Sequence, residues 1–133
     1  MQKANFTIDQ LIQEVRNLAA ESPHNRYHNR GGACFYSKLL CDNGAIGCIF
    51  GQAFQRLDID VEEIDNHADA EDFDGYGSSI DRVIPKLGIE ADSFELSWCK
   101  KVQTAQDNDK TWASAIEEAD SEFPLNDTEN QNV

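Results

Sequence analysis

Cations are scarce in this chain: 11 Lys and Arg stand against 25 Asp and Glu, a formal charge of -14. Such a field repels nucleic acid and anionic membrane surfaces, so direct contact with DNA or RNA is not expected. The acidity serves solubility, or it forms a face that competes with nucleic acid for a basic partner. Long apolar runs are missing. None approaches the ~20 residues of a membrane-spanning helix, so no membrane partner is expected. No apolar run with a cleavage site follows Met1, so no signal peptide is expected and the cytoplasm is the expected location. Paired-cysteine signatures are missing too. Cys34, Cys41, Cys48 and Cys99 include no Cys-x-x-Cys, and without a secretory signal they read as reduced thiols.

What is there fits one domain. A chain of 133 residues supports a single core without disulfides or a metal. Thr7 with Gln10 forms a capping box ahead of Leu11, Ile12, Val15, Leu18 and Ala19 at helical spacing, and Ser22-Pro23 ends the run. Residues 33–40 show no helical stripe and read as one or two short strands, turning at Ser37-Lys38 or at Asp42-Asn43-Gly44. Ile46, Ile49, Phe50, Ala53, Phe54 and Leu57 form a wide apolar helical face. Asp60 with Glu63 opens a short helix through Ile64, and the acidic stretch 67–77 reads as a loop. Ser78 or Ser79 caps a helix interrupted by Pro85. Ser93 caps another, carrying Leu96, Cys99, Val102 and Gln106. Trp112 to Ala119 form the last. The expected fold is mainly α with a small β element (α+β): about five helices and a short hairpin in one compact domain over 1–120. An acidic, polar and disordered tail is expected over 121–133.

Residues 31–57 hold three of the four cysteines and five of the eight glycines. The chain runs Gly31-Gly32-Ala33-Cys34-Phe35-Tyr36, then Gly47-Cys48-Ile49-Phe50-Gly51-Gln52-Ala53, then Leu87-Gly88-Ile89, then Val102-Gln103-Thr104-Ala105-Gln106-Asp107 and Trp112. This order resembles a set of small bacteriophage and actinobacterial proteins of unknown function, over roughly residues 7–119. The resemblance carries no catalytic residue. It implies a phage or mobile-element setting, in the host cytoplasm if the chain is phage-encoded. Small accessory proteins in that setting act against host defences by binding a protein or sequestering a nucleotide signal.

Four constellations could carry chemistry. The segment His24-Asn25-Arg26-Tyr27-His28-Asn29-Arg30 gathers two Arg, two His and a Tyr in a chain short of cations. Arg grips phosphate oxygens with two prongs, and Tyr stacks on a base. The turn from Gly44 to Gly47 leads into a helix N-terminus, where free N–H groups attract anions. Together Arg26, Tyr27, His28, Arg30, Gly44, Gly47 and Cys48 form a candidate ligand site. The plainer alternative is that Arg26 and Arg30 pair with nearby carboxylates. The glycines match neither a phosphate loop nor a dinucleotide fingerprint.

Cys48, at the first turn of a helix, is a candidate nucleophile with His67 and Asp69 as partners, or else a small packing residue. His24, His28, Cys34, Cys41 and Cys48 are zinc-type ligands at spacings longer than a usual knuckle, so neither metal nor cofactor is expected. The run from Asp58 to Asp74, with Glu62, Asp65 and Asp72, is a DNA-mimicking face or a solvated one.

The leading expectation is a non-catalytic binding protein that sequesters an anionic, nucleotide-like small molecule. The alternatives are an acidic inhibitor of a host protein and a Cys48-dependent enzyme. The expected partner is thus an anionic small molecule or a host protein, with a homo-oligomer as a further option.

Overall fold

The structure, a computed structural model, describes residues 3–28, 36, 37, 39–71 and 79–125; for 67–71 the backbone alone is described. Six helices stand among the described residues: α1 (Ile8–Glu21), α2 (Ile49–Arg56), α3 (Val61–Glu71), α4 (Ile80–Lys86), α5 (Ser93–Asp107) and α6 (Trp112–Glu122). The protein is mainly helical, as expected, with one helix more than the expected five.

The capping box of α1 forms as its sequence requires. The Gln10 amide N–H donates to Thr7 Oγ1 at 3.2 Å, and the Thr7 N–H donates to Gln10 Oε1 at 2.8 Å. At α5 the cap is Asp92, one residue before the expected Ser93. Its carboxylate accepts from Glu95 N while Glu95 Oε1 accepts from Asp92 N, both at 2.8 Å. α3 does not stop at Ile64. Its backbone stays helical through Glu71, into the first five residues of the stretch 67–77 expected to be a loop; residues 72–77 lie outside the described residues. α4 holds Pro85 in its last turn, where the ring removes the N–H that would bond to Asp81 O, and the helix ends one residue later at Lys86.

α5 is the organising element, packed between α4 and α6, with α1 and α2 completing the bundle. Trp98, Cys99 and Val102 lie wholly inside, against Trp112, Ala115 and Ala119 of α6. Packing extends past the expected domain end, since Leu125 is buried. Residues 126–133, the rest of the expected tail, lie outside the described residues.

Where a hairpin was expected, two isolated antiparallel bridges occur, Tyr27 with Cys41 and Leu40 with Ile46. No ladder extends from them among the described residues. Positive φ angles at Leu39, Gly44 and Gly47 interrupt the extended backbone a ladder needs. Residues 33–35, the core of the expected strand, are outside the described set. Ile46 belongs to this turn and not to the buried helical face expected of it; it is 53% exposed.

Candidate ligand-binding site

The glycines at 47 and 51 are packing residues. A Cβ at position 51 would lie 2.1 Å from the Tyr36 carbonyl oxygen, and one at position 47 would lie 2.4 Å from it. The Tyr36 backbone therefore rests directly on α2, at a distance only glycine allows. Two further groups hold it there. Asp65 of α3 accepts from Tyr36 N at 3.0 Å and from Ser37 N at 2.9 Å, and the Gln103 side-chain amide donates to the Tyr36 hydroxyl at 2.9 Å. Asp65 is 2% exposed. The expected acidic face thus loses one member, because this carboxylate is an internal cap for backbone N–H groups. Asp58, Asp60 and Glu62 remain exposed. Asp72 and Asp74 are outside the described residues.

The N-terminus of α2 is closed by the protein itself. Ile49 N donates to Gln106 Oε1 at 3.0 Å, and Gly51 N donates to the Cys48 thiol at 3.4 Å. In the turn before it, Asn43 N donates to Asn25 Oδ1, Gly44 N to Cys41 O, Ala45 N to Asn43 Oδ1 and Gly47 N to Leu39 O, at 2.9 to 3.0 Å. The N–H groups of Asn43, Gly44, Ala45, Gly47, Ile49 and Gly51 are thus engaged internally rather than held out to an anion.

The predicted ligand residues are dispersed by these contacts. Tyr27 is 1% exposed, so its ring is packed and unavailable for stacking on a base. Arg26 is exposed and donates through Nε to the Asp109 carbonyl in the α5–α6 connection. His28 pairs with Asp42. Arg30 lies outside the described residues. Of the set, Gly44 lines a cleft among the described residues.

That cleft, open and about 550 Å³, lies between the turn at Gly44, Ala45 and Ile46 and the outer side of α2, which contributes Gln52, Gln55 and Arg56. Sequence reading missed these three. The available signal was Arg56, the one cation between Lys38 and Arg82. Its guanidinium is held by Glu21, with contacts of 2.9 and 2.7 Å, and by Glu14 at 3.2 Å. Arg56 in turn holds the Glu21 carboxyl below its ordinary value, chiefly by hydrogen bonding.

Cys48 is fully buried as the N-cap of α2. Its proposed partners His67 and Asp69 fall on α3, where side chains are outside the described set. Burial pushes the Cys41 thiol up to about 11 and raises that of Cys99 as well, so neither is a thiolate at neutral pH. Among the described residues, no group of three or more His, Cys, Asp or Glu side chains is placed to hold a metal ion. None of the described helices is long and apolar enough to cross a membrane.

Comparison with protein-family models, with curated proteins and with solved structures finds no match to this chain.

Proposed function

We propose that the protein is a small, non-catalytic, phage-type accessory protein that sequesters an anionic, nucleotide-like molecule in the host cytoplasm. The ligand is assigned to the cleft between the Gly44 turn and α2. The three segments meeting at 26–28, 39–42 and 45–47 act as the small β element that supports the turn. The observation supporting this reading is the chemistry of the cleft wall. Arg56 offers a planar fork for a phosphate, and the carboxamide oxygens of Gln52 and Gln55, whose NH2 groups donate to Gly47 O and Ile46 O, can accept from the edge of a base. Since the turn's backbone donors are engaged, recognition rests on side chains. The ligand phosphate displaces Glu21, whose side chain is 55% exposed, from the guanidinium. The counter-defence role comes from the resemblance of the sequence, and a fold by itself assigns no function.

Calorimetry with a panel of linear and cyclic nucleotides tests the proposal. Arg56→Ala is expected to weaken binding by about tenfold or more, the worth of a charge-assisted contact. Arg26→Ala is expected to leave it unchanged. No heat from any nucleotide at high micromolar concentration would remove the reading.

A further inference from the structure

Asn43-Gly44 is the one Asn-Gly pair in the sequence. It forms the tip of the turn between segments 39–42 and 45–47, and both residues are exposed. A concavity opens on each side of it. One, of about 300 Å³, is lined in part by Ser22, Asp42 and Asn43; the other is the cleft at Gly44. Water therefore reaches the Asn43 carboxamide and the Gly44 peptide. A Cβ built at Gly44 meets nothing within 4 Å, so no neighbouring group crowds this position.

The carboxamide is held in one pose. Ala45 N donates to Asn43 Oδ1 at 2.9 Å, which folds the side chain back over the Gly44 peptide. Asn43 Nδ2 donates to Ser22 Oγ at 3.4 Å, and Asn43 N donates to Asn25 Oδ1 at 3.0 Å. An N–H thus faces the carboxamide oxygen, and a hydroxyl faces its nitrogen. Acyl transfer at Cγ needs both: a donor for the charge that develops on oxygen, and a proton source for the departing nitrogen.

We infer that Asn43-Gly44 is a self-modification site, where the chain converts its own Asn43 to aspartate and isoaspartate with water as co-reactant. The Gly44 nitrogen attacks Asn43 Cγ. The N–Cγ bond forms, the Cγ–Nδ2 bond breaks, and Nδ2 leaves as ammonia with the proton that Gly44 N loses, which closes a succinimide. Gly44 N–H donates to Cys41 O at 2.9 Å, so that bond opens before the attack. Water then opens the ring. Addition at Cγ gives aspartate, and addition at the Asn43 backbone carbonyl gives isoaspartate. Either product adds one negative charge beside the wall of the Gly44 cleft, and isoaspartate also lengthens the backbone ahead of Gly44. An anionic ligand in that cleft would meet the added charge, but the modification itself does not rest on the nucleotide reading.

Ageing the folded full chain at physiological temperature and mildly alkaline pH tests the inference, with mass spectrometry of the tryptic fragment 39–56. Exchange of NH2 for OH is expected at Asn43, with both linkages present, at a rate within about tenfold of the synthetic fragment free in solution. The other asparagines, each followed by a residue with a side chain, should lag by about tenfold or more, and Gly44→Ala should slow Asn43 by a similar factor. Ser22→Ala should slow it about threefold or more. Circular dichroism confirms that each variant is folded. An intact Asn43 in the folded chain while the free fragment is modified, or a rate unaffected by both Gly44→Ala and Ser22→Ala, would overturn the inference.

Discussion

The side-chain oxygen of Gln106 accepts the backbone N–H of Ile49 at 3.0 Å, so a residue of α5 caps the first turn of α2. One turn earlier, Gln103 does the same for α4, accepting from Ile80 N at 2.8 Å. Both glutamines are buried, at 0% and 3% exposure. One helix thus closes the N-termini of two others, and the donors that suggest an anion site at α2 are used to fix the bundle.

Gln106→Leu keeps the volume of the side chain and removes the acceptor. Ile49 N–H would be left buried and unpaired, and the expected loss is about 1–3 kcal/mol. In urea the midpoint should fall with the slope unchanged, the mark of lost stability without a changed unfolded state. An unmoved midpoint would show that α2 does not depend on this cap.

Two glycines of the same segment should respond differently to alanine. At Gly51 the added methyl meets the Tyr36 carbonyl at 2.1 Å. Gly51→Ala must push two backbones apart, at an expected cost of about 3 kcal/mol. At Gly44 there is open space, but φ is +87°. Gly44→Ala therefore pays conformational strain alone, about 1–2 kcal/mol. Thermal unfolding should rank the two in that order; equal melting temperatures would refute the close approach of Tyr36 to α2.

Thiol labelling separates a packing role for Cys48 from a nucleophilic one. In a Cys34→Ser chain the remaining Cys41, Cys48 and Cys99 are all buried. Iodoacetamide at neutral pH should modify each of them only as fast as the protein opens, and denaturant should accelerate all three together. Fast, selective alkylation of Cys48 in the native protein would restore the enzyme alternative.

The sequence was most legible where one local signal has one physical meaning. Thr7 with Gln10, the stripe Ile49, Phe50, Ala53 and Phe54, and the small face of α6 all formed as read. It was least legible where two causes leave the same residue. Glycine at 47 and 51 is demanded by the approach of a phosphate or of a backbone, and here the backbone of Tyr36 is the neighbour. An aspartate in an acidic run reads as solvated, yet Asp65 is inside because its partners, Tyr36 N and Ser37 N, are 28 residues or more away in sequence. Gln103 and Gln106 are likewise explained only by helices they meet in space. Of the predicted ligand residues, Gly44 lines the cleft, while Arg26, Tyr27 and His28 have contacts elsewhere.

Acid sensitivity should pass in part through Asp120, which joins three helices. It accepts from Arg16 of α1 at 2.8 and 3.0 Å and from the Trp98 indole of α5 at 2.9 Å, while the Arg16 guanidinium lies 5.0 Å from the Trp98 ring. Burial alone would raise its carboxyl, but the hydrogen bonds from Arg16 and Trp98 and the Arg16 charge outweigh it and lower the pKa below the ordinary 3.8. A depressed folded-state pKa means that the unfolded chain takes up the proton first. The stabilising contribution is therefore complete above 3.8 and is lost as pH falls through the lower, folded value. Asp120→Asn retains an acceptor for Trp98 and removes the charge facing Arg16. With the aspartate 42% exposed, solvent screening keeps the expected loss near neutral pH to about 1 kcal/mol or less. The difference between parent and variant should stay constant from neutral pH down to the ordinary carboxylate range and then shrink. A difference that persists unchanged in stronger acid would show that the Asp120 charge is not what links α1 to α5 and α6.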